Sequence, residues 1–246
     1  MIADGIGPAV EVLRNARSIV VLTGAGVSTA SGLPQFRGAG GIWDDKELMA
    51  AHDVSALPGS LAVLWETWGP LRPVIAAAEP NAAHQAIASL EMRFPAAITV
   101  ATQNVDGLHQ RAGSQVVAEL HGSLFRSRCM TCDGTFPDPH APNGVPLSPC
   151  CNAPARPDMT LFGEALPFDA SRTAKLACRS ADVLLIAGTS GAVSTATGLA
   201  RYANDYGARV VLVNLEPWNA DASRWLTATA TGPVEELLPD LVSMLD

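Results

Sequence analysis

Four short apolar runs rich in β-branched residues punctuate the chain: residues 19–23 (IVVLT), 97–101 (AITVA), 183–187 (VLLIA) and 209–213 (RVVLV). Runs of this length without polar alternation predict strands buried on both faces. Between them, apolar positions recur at helical spacing over 6–16, where Ile6, Val10 and Leu13 share a face, and over 82–92, 170–178 and 195–206. A similar pattern over 234–245 closes the chain. Strands alternating with helices predict an α/β fold with a mainly parallel sheet wound on both sides.

The chemistry lies in the residues just beyond each strand. The first run leads into Gly24-Ala25-Gly26-Val27-Ser28, the second into Gln103-Asn104-Val105-Asp106, the third into Gly188-Thr189-Ser190 and the fourth into Asn214-Leu215-Glu216. In an open parallel sheet, ligands bind in the crevice beyond the carboxyl ends of the strands, where helix N-termini favour anions. Gly24 and Gly26 let backbone approach a pyrophosphate, Ser28 offers a hydroxyl, and Asn214 or Glu216 can hold a ribose diol. Taken alone, the Gly-x-Gly lacks the third glycine of the dinucleotide fingerprint, and Asn104 and Asp106 read equally well as turn or N-cap residues. Four polar strand ends in one chain point together to a nucleotide site.

Composition narrows the partners. The chain has 246 residues, 48% of them hydrophobic, enough for a full core with a small appended module. Its formal net charge is −8 and no basic run occurs, which argues against nucleic acid and anionic membrane as partners and is compatible with a lysine-bearing one. The N-terminal segment lacks a basic region leading into an apolar core, and no stretch reaches the roughly 18 apolar residues of a membrane span. A soluble, cytoplasmic protein is expected.

Four of the five cysteines, Cys129, Cys132, Cys150 and Cys151, lie close together in sequence, a pattern that suits thiolates around a metal better than a disulfide framework. Cys129 and Cys132 form a C-x-x-C knuckle. Cys150 and Cys151 are adjacent, so both reach one tetrahedral ion only if their turn folds back, which makes Cys150 the less secure ligand. Cys178 reads as a small buried hydrophobe.

In order along the chain, Gly24 to Gly38 (GAGVSTASGLPQFRG), Thr102 to His109 (TQNVDGLH), Leu120-His121-Gly122-Ser123, Phe162-Gly163-Glu164, Gly188-Thr189-Ser190 and Val213 to Pro217 (VNLEP) resemble the signature blocks of the sirtuin family of NAD-dependent protein lysine deacylases. The resemblance implies a Rossmann-like large domain from residues 1–36, 82–123 and 160–246. It also implies an inserted small domain from 37–81 and 124–159, with a helical and a zinc module. Between the two, a cleft would take NAD and an acyl-lysine protein or peptide. Carried over, Gly24, Ala25, Gly26 and Ser28 would contact the pyrophosphate, with Phe36 and Arg37 on a loop covering NAD. Gln103, Asn104 and Asp106 would line the nicotinamide and ribose pocket, and Gly188, Thr189, Ser190, Asn214 and Glu216 the phosphate and adenosine side. His121 resembles the family's general base, and an imidazole near neutrality can take a proton from a ribose hydroxyl. Asn104 and Asp106 complete the catalytic set, and Cys129, Cys132, Cys150 and Cys151 would hold Zn2+. The products implied are nicotinamide, free lysine and O-acyl-ADP-ribose.

Departures from the family pattern fall where selectivity is set. Gln35 stands where Asp is common, Gly191 and Thr195 where Leu and Pro are usual, and Met159 and Thr160 where valines are usual. Gly191 suggests a wider channel floor, and Phe162, Gly163 and Glu164 would border the substrate. The helix containing Trp65, Trp68 and Leu71 lacks the Tyr-x-x-Arg pair that receives a succinyl carboxylate, so Trp68 would present an apolar wall and neutral acyl groups are expected, with Arg72 the one cation that could oppose this. His84 reads as structural, His109 as a brace for the pocket, and His52 and His140 as solvated loop residues. Two other readings stay open at this point: an NAD glycohydrolase or mono-ADP-ribosyltransferase on the same fold, and a silent NAD or ADP-ribose binder. The sequence leaves the oligomeric state unknown.

Overall fold

The computed structural model describes residues 3–34, 41–93, 98–138 and 144–245. Its strands are β1 (Ala3–Asp4), β2 (Ile19–Thr23), β3 (Ile98–Thr102), β4 (Val117–Glu119), β5 (Gly122–Cys129), β6 (Thr135–Pro137), β7 (Ala155–Met159), β8 (Val183–Ala187), β9 (Arg209–Asn214) and β10 (Ala228–Thr231). Seven form one parallel sheet in the order β1-β10-β9-β8-β2-β3-β4, and β6-β5-β7 form a small antiparallel sheet. All four predicted strands sit at the centre of the large sheet; Ala97, expected to open the second, lies outside the described residues.

Alternation along the buried strands explains why both faces must be covered. Ile19 and Val21 point into one core with Val100, Leu185 and Val211, backed by Leu13, Ile87, Leu90 and Leu238 from helices Ile6–Arg14, Ala82–Arg93 and Val234–Ser243. Val20 and Leu22 point the other way, to Leu184, Ile186 and Leu212, covered by Ala174 and Cys178 of helix Phe168–Ser180 and Leu199 and Ala203 of helix Ser194–Asp205. A period of two on a sheet with helices on both sides leaves no face for polar residues, hence the unbroken apolar runs.

From β2 the chain steps outward to β3 and β4, then returns to β8 on the other side of β2 and continues to β9 and β10. The order therefore reverses between β2 and β8, which is where ligands bind in open α/β sheets. Here the glycines meet. A Cβ on Gly24 would lie 2.7 Å from Thr189 Cβ, and one on Gly26 would lie 2.8 Å from the Gly188 carbonyl oxygen. Gly188 itself has φ +60 and faces the Val27 backbone. Glycine at these positions lets the two turns touch, as well as opening backbone to a ligand.

The small sheet begins beside the crevice. Gly122, at φ +80, opens β5 against β7 so closely that any side chain would strike the Asp158 carbonyl. No described helix is long and apolar enough to cross a membrane.

Candidate active site

A cleft of about 700 Å³ lies over the reversal point, within the size range of sites that enclose whole small-molecule ligands. The ends of β2, β3, β8 and β9 line one side of it through Gly24, Ala25, Gly26, Gln103, Asn104, Gly188, Thr189, Ser190, Asn214 and Glu216. The sequence placed all of these at the site. It missed Pro233, Val234 and Glu235, which come after β10 and line the cleft as well. Trp43, Trp68, Met159, Leu161 and Phe162 give the lining an apolar, largely aromatic part, with His52 among them.

Two expected contact residues stand one layer back. Ser28 and Asp106 are buried behind Asn104. Ser28 Oγ donates to Asp106 Oδ2 at 2.7 Å and accepts from Asn104 Nδ2 at 3.1 Å, and the same amide donates to the Gly24 carbonyl at 3.1 Å. Asn104 is thus aimed by two neighbours. Burial pushes the Asp106 carboxyl up from its ordinary range, against hydrogen bonds from the Leu108 backbone and Ser28. Ser28 thus ties the Asp106 carboxyl to the Asn104 amide.

A second buried layer supports the first. His109 Nε2 lies 2.8 Å from Thr23 Oγ1, which donates to Thr102 Oγ1, which in turn accepts from the Asn104 backbone N–H. His84 Nε2 lies 3.5 Å from Ser28 Oγ, and the two imidazoles are 4.9 Å apart. Burial drives His84 down to about 4; burial and then the neighbouring His84 drive His109 down to about 3. Both rings are neutral at pH 7 and serve as hydrogen-bonding struts, as their sequence readings expected.

His121 comes just after β4 and lines the cleft, its backbone held by the Thr160 N–H. Burial lowers its pKa below the usual 6.5, opposed by the nearby Gln103 backbone. A neutral imidazole has one ring nitrogen able to accept a proton, the state a general base needs.

Three expectations change on the substrate side. Gly191 is not a cleft-lining residue: at φ +70 it lies against the Trp218 indole, 2.8 Å from where its Cβ would be, and Trp218 Nε1 donates to the Thr189 carbonyl. The glycine accommodates a tryptophan, and Val193 and Thr195 are the nearby residues that line the cleft. Second, His52 is buried, whereas its polar surroundings in sequence suggested a solvated loop. Third, Arg72 is wholly buried, paired with Asp138 at 3.0 Å and stacked over Trp65, outside the cleft lining. Glu164 lines the cleft with its carboxylate tied to Arg156 and to the Leu161 N–H. Phe36 and Arg37, expected on the covering loop, lie outside the described residues, as do Gln35 and His140.

The four cysteine sulfurs lie within 4.8 Å of one another. The turn does fold back: Ser148 and Ala153 pair, and Asn152 adopts φ +52, which brings Cys150 and Cys151 to the same side. Cys150 Sγ is 3.0 Å from Cys132 Sγ, and Cys129 Sγ accepts from Ser148 Oγ at 3.2 Å. Four thiolates so placed fit a tetrahedral zinc with no open position, a structural site that would clamp the ends of β5 and β7.

Comparison with known proteins agrees with this geometry. Residues 24–195 match the Sir2 family. The NAD-dependent protein deacylase 2 of Pyrobaculum aerophilum is 44% identical over 210 residues, covering 84% of this chain and 83% of that protein. The NAD-dependent protein deacylase 1 of Pseudomonas aeruginosa is 41% identical over 244 residues, 95% and 96% of the two chains. A solved Sir2 homolog–NAD complex superposes with a TM-score of 0.90 at 32% identity, covering 100% of this chain and 96% of the other. A Sir2–p53 peptide–NAD+ structure gives 0.80 at 30% identity over 98% of each chain.

Proposed function

The chain belongs to the Sir2 family, and from that premise we propose that it removes neutral acyl groups, acetyl first, from protein lysines, with NAD as co-substrate and nicotinamide, free lysine and O-acyl-ADP-ribose as products. One observation carries the reading: the glycine-lined reversal point, Asn104 and His121 share a single cleft with an apolar aromatic wall. One side of that cleft suits a dinucleotide, the other a lysine stem and its acyl group.

When bound, NAD supplies a glycosidic bond whose cleavage makes its ribose an acyl acceptor. The chain's residues do the rest. Gly24, Gly26 and Gly188 let backbone close around phosphates, and Asn214 and Glu216 lie where the adenosine end would rest. Asn104, locked by Ser28 and the Gly24 carbonyl, presents an oriented amide beside the reacting ribose. His121, neutral at pH 7, accepts the ribose hydroxyl proton. Trp43, Trp68, Met159, Leu161 and Phe162 keep water from the acyl group.

Neutral selectivity arises from charge. Among the described residues lining the cleft none is a lysine or arginine, and Arg72 is held by Asp138. A succinyl carboxylate buried there would lack a cationic partner, at a cost of several kcal/mol. Residues 37–81 and 124–159 are taken as the small domain in this reading, and the separate sheet β6-β5-β7, which begins at Gly122, lies mostly within the second segment. The cytoplasm remains the proposed location, since clustered cysteines that form no disulfide suit a reducing compartment. Side-by-side kinetics on acetyl, butyryl and succinyl versions of one peptide test the reading. The neutral acyl peptides should be turned over with the higher kcat/KM; a preference for succinyl overturns it.

A further inference from the structure

The apolar wall of the cleft is built around a histidine whose two ring nitrogens are both spent. His52 caps helix Lys46–Ala51, and its Nδ1 lies 2.7 Å from the Leu48 carbonyl, which can only accept. Its Nε2 lies 2.8 Å from Trp68 Nε1–H, at the end of helix Leu61–Trp68, and an indole N–H can only donate. These partners admit one state of the ring: neutral, with its proton on Nδ1.

The backbone of the same residue holds a third element. The Phe162 N–H donates to the His52 carbonyl at 2.9 Å, and the Val54 N–H donates back to the Phe162 carbonyl at 2.9 Å. Trp43 packs edge-on against both rings, 5.0 Å from His52 and 5.2 Å from Phe162 between centroids. His52 therefore joins the three segments that supply Trp43, Trp68 and Phe162 to the cleft. It also consumes the indole N–H of Trp68, so the wall shows carbon to a substrate.

We propose that His52 is a positioning residue for the acyl-lysine: as the Nδ1–H tautomer it fixes the Trp68 indole and, through its backbone, the Phe162 segment, and so sets the shape and apolarity of the acyl-binding wall. This inference rests on the deacylase reading for the identity of the ligand and on the geometry alone for the tautomer. The NAD side of the cleft, made of strand ends, does not depend on it.

The test separates these parts. Heteronuclear NMR of the imidazole nitrogens in the wild-type protein at pH 7 should show Nδ1 protonated and Nε2 bare; an Nε2–H or doubly protonated ring overturns the proposal. His52→Leu keeps bulk but loses both hydrogen bonds. It should weaken acyl-peptide affinity, measured by calorimetry with ADP-ribose present, about tenfold, with ADP-ribose affinity held within about twofold. In turnover the loss should fall on peptide KM more than on kcat. His52→Gln, whose amide oxygen can still accept from the indole, should recover most of it, and Trp68→Phe, which removes the indole N–H, should show a similar loss. Unchanged peptide affinity in His52→Leu, or an equal loss of ADP-ribose that Gln does not restore, contradicts a positioning role. Failure of the wild type to form any deacylated product counts against the deacylase reading alone, because tautomer and affinities are read without turnover.

Discussion

The Ser28 hydroxyl donates to the Asp106 carboxylate across 2.7 Å while accepting from Asn104 Nδ2 at 3.1 Å. With its one proton committed to Asp106, Ser28 can face Asn104 only as an acceptor, so a buried carboxylate sets the direction of a cleft-lining amide. Asn104→Ala should reduce exchange of free nicotinamide into NAD by at least about a hundredfold. Ser28→Ala, which loosens the amide without removing it, should cost about tenfold. Labelled nicotinamide exchange measures both, and wild-type exchange in Asn104→Ala contradicts the assignment.

His121→Ala should lower deacylation by about 10²- to 10⁴-fold while leaving ADP-ribose affinity largely intact, as expected of a general base. The base works neutral, so activity is full above its folded pKa and falls as pH drops through it. Burial has lowered that pKa below 6.5. The acid limb of kcat/KM should therefore lie below 6.5 and vanish in His121→Ala; a limb above 6.5 contradicts the environment described for this ring.

Stability should fall in acid for a separate reason. His84 and His109 have folded pKa values of about 4 and about 3, below the unfolded 6.5. As pH falls from 6.5, the unfolded chain takes up protons that the native rings refuse, and each histidine costs about 1.4 kcal/mol per pH unit until its folded pKa is reached. Asp106 acts oppositely, because its raised pKa stabilises the native state at low pH and loses that contribution as pH rises through its folded value. Urea denaturation between pH 7 and 5 should show declining stability, with a shallower slope in His84→Gln. An equal slope would show that His84 is not the group refusing the proton.

The purified protein should carry about one zinc per chain, lost to a strong chelator with a drop in Tm. Cys129→Ser should abolish binding, since Cys129 is buried and receives hydrogen bonds from Ser148 and from the Thr131 and Cys132 backbones. Ser148→Ala should weaken affinity by about 10- to 100-fold. Metal analysis finding no zinc, with Tm indifferent to chelator, contradicts the site.

Arg72→Ala should destabilise the protein by about 3 kcal/mol or more, because it leaves Asp138 without its buried partner, and should leave the acetyl-to-succinyl preference unchanged. A change in that preference without loss of stability would place Arg72 at the substrate.

The central sheet was legible because β2, β3, β8 and β9 are buried on both faces and so carry unbroken apolar runs. β4 (VAE) and β10 (ATAT) escaped notice: one is three residues long, and the other alternates small alanines with threonines that carry little hydrophobic signal. The strand-end residues were legible by position, since polar groups after buried strands have few other places to go. Ser28 and Asp106 were found as site residues, but their depth behind Asn104 was not, because depth depends on packing between β2 and β3. His52 was hidden altogether. Its neighbours Ala51 and Asp53 suggest a loop, while its ring partners Trp43 and Trp68 and its backbone partner Phe162 are remote in sequence. Gly191 was misplaced for the same kind of reason, its partner Trp218 being remote in sequence.

The claim that one cleft joins NAD to an acyl-lysine is tested most directly by product stoichiometry. With limiting acetyl-lysine peptide and excess NAD, mass spectrometry should find free-lysine peptide, nicotinamide and O-acetyl-ADP-ribose in equal amounts, all lost together in His121→Ala. Nicotinamide and ADP-ribose formed while the peptide keeps its acetyl group would contradict the account.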